Sequence, residues 1–348
     1  MKYLSSIASL LSVLLLSAPA PADHHHANQK AVLITGATTG IGRATAEHLA
    51  AAGYFVYAGA RKDTDMEALN KIDNIMAVRL DVTRQDQVDA AVRLIEDQGR
   101  GLWGLVNNAG VNVFAPLTKA RQEDVEFIFN VNVFGVFRVT RAFAPMIMES
   151  QGRIVNISSI SGVWSAPIAG AYSGSKHALE AMTDSLAMEL RDLGVHVAAV
   201  NPGGFASAGF AKDCERMLKD ADADWGHLED TRQWRIDQCT KGLESGYRSA
   251  APDPIAVAVA VEQALFEQKP RWRYLVASQA GAGETIAWAI REMLALNIGH
   301  EHSYTRDEIV QFIDLIWPYM SGERIWNSLE EEWEAHDSWI ERRVPDED

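Results

Sequence analysis

Three things are scarce in this 348-residue chain, and each scarcity excludes something. Cysteine occurs twice, at Cys214 and Cys239, which is too few for a disulfide framework or a cysteine zinc site. Positive charge is in deficit: 32 Lys and Arg against 47 Asp and Glu leave a formal net charge of −15. A chain so acidic is a poor partner for nucleic acid or for an anionic membrane surface. Long apolar runs are also missing. The longest stretch near the N-terminus, residues 4–16, falls short of the roughly 20 residues needed to span a bilayer. Tandem repeats and long low-complexity tracts are absent too. What remains, 47% apolar and 23% charged residues, describes a chain able to bury one large core, with or without an appendage.

The first 22 residues have a form of their own. Lys2 precedes the short apolar run, and Ser17-Ala18-Pro19-Ala20-Pro21-Ala22 offers small-residue cleavage sites after Ala20 or Ala22, the layout of a secretory signal. Residues 23–30 read as a linker, and His24-His25-His26 within it as solvated side chains rather than metal ligands, so no metal site is expected. No twin arginine precedes Leu4, so a signal for export of a folded protein is not present. The expectation is a segment that associates the protein with the cell envelope while both cysteines stay free thiols. The alternatives are true export, and a cytoplasmic protein whose start lies further downstream. A disulfide between Cys214 and Cys239 would argue for export.

From residue 31 onward short apolar runs alternate with helix-compatible stretches. Ala31-Val32-Leu33-Ile34 has the continuous apolar character of a strand buried on both faces. It leads into Thr35-Gly36-Ala37-Thr38-Thr39-Gly40-Ile41-Gly42 and then a helical run. Glycines there permit a tight turn and close backbone approach, and a helix N-terminus offers free N–H groups to a pyrophosphate. Strands are expected near residues 54–59, 75–80, 105–108, 153–157, 195–200 and 273–277, with helices at 85–97, 123–148, 172–193 and 255–266. Alternation of this kind means a doubly wound parallel sheet, an α/β Rossmann fold. Asn132 falls inside the 123–148 stretch, where asparagine marks a backbone interruption or a polar role.

The chemistry centres on Tyr172 and Lys176. Four apart on a helix, they project from one face, and a cation beside a phenol draws its pKa down from about 10 and fits it for proton transfer. Alone, such a pair is equally a surface tyrosine beside a solvated lysine. The dinucleotide loop upstream supplies the missing context. At the end of the second strand Arg61-Lys62 stands where an acid would bind a ribose 2′-hydroxyl and where a base accommodates a 2′-phosphate, so NADP is expected and NAD is the alternative.

Thr35-Gly36-x-x-x-Gly40-x-Gly42, Asn107-Asn108-Ala109-Gly110, Ser159, Tyr172-x-x-x-Lys176 and Pro202-Gly203, in that order, resemble the short-chain dehydrogenase/reductase family over residues 30–280. Gly101-Leu102-Trp103-Gly104-Leu105-Val106 and Tyr57-Ala58-Gly59 are similar to its retinol, hydroxysteroid and 3-hydroxybutyrate dehydrogenase branch. The resemblance implies that Tyr172 is the general acid/base and that Ser159 binds the substrate oxygen. It implies that Lys176 holds the nicotinamide ribose and that Asn132 holds a water leading to solvent. Gly36, Thr38, Gly40, Ile41 and Gly42 would cradle the pyrophosphate, Asp81 and Val82 would meet the adenine, and Arg61 the 2′-phosphate. Asn108, Ala109 and Gly110 would lie along the cofactor, Pro202 and Gly203 would bracket the nicotinamide, and Ser207 would bind its carboxamide. The activity implied is hydride transfer between NADP(H) and an apolar secondary alcohol, ketone or aldehyde by a homo-oligomer. A silent cofactor-binding regulator is the alternative from another class, and the glycine spacing disfavours an enzyme acting on sugar nucleotides.

Residues 205–251 fall where the family places a lid, and Phe205, Phe210, Trp225, Trp164 and Ile168 hint at an apolar substrate. Residues 281–348 form an acidic extension: Thr305 to Glu308 resembles a capping box, and Ile325, Leu329, Trp333, His336 and Ile340 fall on a helical stripe.

Overall fold

The computed structural model describes residues 29–205, 208–219, 224–244, 253–297 and 303–320. The signal-like segment, Ser207 and the stripe from Ile325 to Ile340 therefore lie outside the described residues. Seven strands form one sheet: β1 (Ala31–Ile34), β2 (Phe55–Ala60), β3 (Ile75–Arg79), β4 (Gly104–Asn107), β5 (Arg153–Ile157), β6 (His196–Pro202) and β7 (Arg273–Val276). All pairings are parallel and the order is β3-β2-β1-β4-β5-β6-β7. The strand order reverses between β1 and β4, so a crevice opens beyond their carboxyl ends, the place where such sheets bind ligands.

Both faces of the sheet are dry, and the two-residue period of the strands divides their side chains between two cores. Val32, Ile34, Val106, Val155 and Ala198 point to one core, shared with Ala46 and Leu49 of α1 (Gly40–Ala51) and Val257, Val261 and Leu265 of α9 (Ile255–Phe266). Ala31, Leu33, Leu105, Ile154 and Val197 point to the other. There they meet Val88 and Ile95 of α3 (Gln85–Asp97), Val139, Phe143 and Ile147 of α5 (Val136–Glu149) and Leu190 of α6 (Gly170–Arg191). That double burial is why the strands read as unbroken apolar runs rather than alternating ones. A short α2 (Asp63–Leu69) bridges β2 and β3.

The stretch expected as one helix over residues 123–148 is interrupted. α4 (Gln122–Phe129) passes into a π-helical segment, Asn130–Gly135, before α5 begins. The wider turn brings Gly135 against Val82: a Cβ on Gly135 would meet Val82 Cγ2 at 2.7 Å. It also turns Asn132 into the protein, fully buried. Residues 122–149 are long and apolar enough to cross a bilayer by composition, yet half of their most apolar window is buried inside the fold.

Beyond β6, α7 (Ala208–Lys219) and α8 (Glu229–Glu244) pair over a small core of Ile168, Cys214, Met217, Trp225 and Cys239. Cys214 and Cys239 are joined in a disulfide. This corrects the expectation of two free thiols: the two cysteines, 25 positions apart, are brought together as the chain folds back as a helix pair, and both are fully buried in its seam. After β7 come α10 (Gln279–Asn297) and α11 (Arg306–Met320). The capping box opens α11 as expected, with the Thr305 N–H donating to Glu308 Oε2 at 2.5 Å and the Glu308 N–H to Thr305 Oγ1 at 3.4 Å. α10 returns to the main body, where Trp288 stacks parallel to Trp164 with ring centroids 6.0 Å apart.

Candidate active site

The loop after β1 is shaped by its glycines. Gly36 and Gly40 adopt positive φ, +65° and +58°, the left-handed region that side chains avoid. Gly42 is compulsory for a different reason: a Cβ there would lie 2.3 Å from Asn108 Nδ2 and 2.5 Å from the Gly36 carbonyl oxygen. Asn108 ties this loop to the end of β4. Its Nδ2 donates to the carbonyl oxygens of Thr35 (2.9 Å) and Gly36 (3.0 Å), and Thr35 Oγ1 accepts from the N–H groups of Asn108 and Ala109 at 2.9 and 3.0 Å. Thr39 does not cap α1 with its side chain, so the first-turn N–H groups of α1 face the loop. Thr38 is half-buried in the loop, and Ile41 packs on the core below it. A side-chain-free cradle at the start of a twelve-residue helix, at the point where strand order reverses, fits a dinucleotide pyrophosphate.

At the outer end of the crevice Arg61 is exposed, with Nη1 3.8 Å from Asp81 Oδ2. Burial pushes the Asp81 carboxyl upward, but hydrogen bonds from the side chain and backbone of Thr83, with the charges of Arg61 and Arg84, outweigh it and hold the group below its usual value. Val82 is buried against Gly135. Arg61, Asp81 and Val82 thus gather beyond β2 and β3.

The reactive end is assembled from four elements. Ser159, after β5, is buried, and its Oγ accepts from the Ser161 N–H at 3.1 Å and shares a hydrogen bond with the Tyr172 hydroxyl. Asn201 of β6 fixes it from behind, donating from Nδ2 to the Ser159 carbonyl oxygen (3.1 Å) and to Glu180 Oε1 (2.6 Å). Lys176 is buried one turn beyond Tyr172, and its Nζ donates to the Ile157 carbonyl oxygen at 2.8 Å. Asn132 reaches in from the π segment. Its Oδ1 accepts from the Val111 N–H (2.8 Å), and its Nδ2 donates to the Val111 carbonyl oxygen (2.9 Å) and Ser175 Oγ (3.0 Å). Gly110 marks the convergence: a Cβ on it would stand 3.5 Å from Asn132 Oδ1 and 3.8 Å from Lys176 Nζ.

The electrostatics depart from the simple picture of a lysine lowering its tyrosine. Burial raises the Tyr172 phenol above its ordinary value, the Ser159 hydrogen bond opposes this, and the charge of Asp213 adds to it. Lys176 Nζ lies 5.7 Å from the centre of the Tyr172 ring and spends a hydrogen bond on Ile157. Burial lowers Lys176 itself to about 8, against the upward pull of Glu180. Glu180 is in turn bound by Arg273 Nε at 2.9 Å.

Pro202 ends β6, buried, and the Gly203 N–H donates to the Val276 carbonyl oxygen of β7 at 2.8 Å. Apart from Phe210, whose side chain lies outside the described residues, the apolar hints resolve as packing, Trp164 against Trp288. Ile168 and Trp225 fill the small core under α7 and α8, and Phe205 packs on the sheet core. Sequence reasoning missed Ser175, Asn201, Glu180 and Asp213, and the buried bridge in which Asn107 Nδ2 joins Thr140 Oγ1 and Asn156 Oδ1, each at 2.9 Å. Ser175 inside the Tyr-Lys motif, Asn107 inside the Asn-Asn-Ala-Gly motif and Asn201 just before Pro202-Gly203 stood where a signal could have been read; Glu180 and Asp213 did not.

With this arrangement in view, residues 30–218 match the family described as short chain dehydrogenase. The chain belongs to that family. The dehydrogenase is 36% identical to the mitochondrial D-beta-hydroxybutyrate dehydrogenase of Bos taurus, over 70% of this chain and 76% of the relative. It is 35% identical to retinol dehydrogenase 7 of Mus musculus, over 72% and 81%. Among solved structures, a short-chain dehydrogenase from Streptomyces avermitilis superposes with a TM-score of 0.62 at 26% identity, covering 83% of this chain and 97% of that one. The protein is thus an oxidoreductase of CH–OH groups in a family that uses nicotinamide cofactors. Among the described residues no cluster of three metal-ligating side chains occurs.

Proposed function

We propose that this dehydrogenase transfers hydride between NADP(H) and an apolar secondary alcohol, ketone or aldehyde. The observation that carries the reading is the meeting of Ser159, Tyr172, Lys176 and Asn132 beside the glycine cradle at the carboxyl edge of the sheet. The nicotinamide supplies the hydride acceptor or donor. The chain supplies the proton route and the placement: Ser159 hydrogen-bonds the substrate oxygen, and the Tyr172 hydroxyl moves the proton on that oxygen. Lys176, a buried cation with a bond to spare beyond Ile157, reaches the ribose. Asn132 and Ser175 connect that end to the loop after β4. A regulator without turnover would have no use for a buried lysine, a buried asparagine and a serine–tyrosine pair aimed at one point.

The preference for NADP is supported by the exposed Arg61 with Lys62 beside it at the ribose end of the crevice, and by the pairing of Asp81 with Thr83 and Arg61, which leaves Asp81 occupied. The test is a panel of alcohols, ketones and aldehydes followed by nicotinamide absorbance with each cofactor. Turnover of apolar members with a higher kcat/KM for NADP(H) is expected. Tight cofactor binding with no turnover across the panel would favour the regulator instead.

Two further parts of the reading concern surroundings. Self-association is supported by the exposed rings of Phe127, Phe134 and Phe137, on α4, the π-helical segment and α5 in turn. An oxidising compartment is supported by the Cys214–Cys239 disulfide together with the export-like first 22 residues.

A further inference from the structure

Two consecutive residues of the loop after β4, Val111 and Asn112, are held by their backbone groups from opposite sides. Asn132 takes both groups of Val111. Both groups of Asn112 are taken by α7: its N–H donates to the Asp213 carboxyl, and its carbonyl oxygen accepts from Arg216 Nη1. Arg216 Nη1 also stands 3.4 Å from Asp213 Oδ1, so the two side chains brace each other. Asp213 is close enough to Tyr172 for its charge to act on the phenol. Ile168, two residues before α6, adds a second link. Its φ of +66° is a strained conformation for a β-branched residue, its carbonyl oxygen accepts from the Ala115 N–H at 3.0 Å, and its side chain plugs the core beneath α7 and α8.

From this continuous chain of contacts we infer that Asp213 and Arg216 are positioning residues, a clasp that closes α7 over the reaction site by gripping Asn112 and so fixes the surroundings of Tyr172. The disulfide to α8 makes the helix pair move as one body when the clasp opens.

The clasp is also sensitive to pH. The groups that face Asp213 are Arg216 and Lys212 of its own helix, Arg235 of α8, the Asn112 N–H and Tyr172 of α6. Burial dominates and raises the carboxyl to about 7, from an ordinary value of 3.8 that it would regain with α7 lifted into water. The closed form therefore binds the extra proton. Closure is strongest in acid, weakens as pH rises from about 4 to about 7, and levels off above that. An asparagine at this position keeps the oxygen that accepts from Asn112 and carries no charge at any pH.

The kinetic arm of the test rests on the dehydrogenase reading; the second arm does not. In wild type, KM for a turned-over carbonyl should rise between pH 5 and 8, by up to about ninetyfold, the full change in the closure equilibrium. In Asp213→Asn it should stay near the acid value throughout, and Arg216→Gln should raise KM at every pH with kcat little changed. Independently, hydrogen-exchange protection of residues 208–219, corrected for intrinsic rates, should fall across the same range in wild type and stay flat in Asp213→Asn. Cofactor affinity of both variants, read by fluorescence, should match wild type and so report an intact fold. If Asp213→Asn keeps the wild-type pH profiles of KM and of protection, the clasp is refuted. If no substrate in the panel is turned over, the functional reading fails and the exchange profile alone decides the clasp.

Discussion

At the scale of single residues the proposed roles separate proton transfer from cofactor binding. On that reading Tyr172→Phe removes the hydroxyl that moves the proton and leaves the ribose-facing Lys176 in place. Turnover should fall by about a thousandfold or more while cofactor affinity, measured by fluorescence titration, changes by no more than a few-fold. Arg61→Asp removes a cation and puts an acid near the ribose, so the ratio of kcat/KM for NADP over NAD should fall by at least about tenfold. An unchanged ratio would mean that Arg61 serves only Asp81. Lys176 gives a pH prediction whose sign is fixed by its surroundings. Its ammonium is present below about 8 and lost as pH rises through that value, because burial favours the neutral amine. Glu180 works against that loss. Glu180→Gln should therefore move the alkaline limb of cofactor binding to lower pH, by about one unit. No shift, or a shift to higher pH, would show that Glu180 does not sustain the Lys176 charge.

At the scale of elements, the strands and most helices could be read from the sequence because each rests on short-range pattern. The four apolar residues Ala31–Ile34 are a strand because both neighbours in the sheet and both faces are dry. The π-helical segment could not be placed, since the same apolar periodicity runs through it. Only Asn132 betrayed it, as a residue too polar for a buried helix. Asp213 was illegible for the opposite reason: a charged residue in a mixed helix looks solvated until the loop that covers it, a hundred residues earlier, is known. The disulfide belongs to this scale as well. Cys214→Ser should weaken the α7–α8 pair by about 3 kcal/mol, read as earlier loss of exchange protection in those helices, while the sheet is barely affected. Equal destabilisation of β1 to β6 would show that the lid and sheet unfold together.

At the scale of the whole molecule, the disulfide and the N-terminus bear on one question, where the protein works. The sequence pointed both ways, because a secretory form at the start comes without the twin arginine that export of a folded protein calls for. Mass spectrometry of protein from its native source should find Cys214 and Cys239 oxidised and a mature N-terminus at Pro21 or Asp23. A free-thiol pair with the first residues retained would restore the anchored, reducing-side arrangement. Sedimentation should give an oligomer, and a Phe134→Lys, Phe137→Lys double change should dissociate it if those rings are the contact.

The sheet order has a consequence for how the chain comes to be folded at all. β1 finds one neighbour, β2, after about twenty residues, but its other neighbour, β4, begins only at Gly104. Until that strand is made, the edge of β1 and one side of the glycine loop stay open, and Asn108, which ties the loop down, has not yet been synthesised. Pairings this distant along the chain are slow to form and leave apolar edges exposed while they wait. The crevice that receives the cofactor is therefore also the seam that closes late. A cofactor that stabilises that seam would draw the chain toward its native state by mass action, even before it takes part in any reaction.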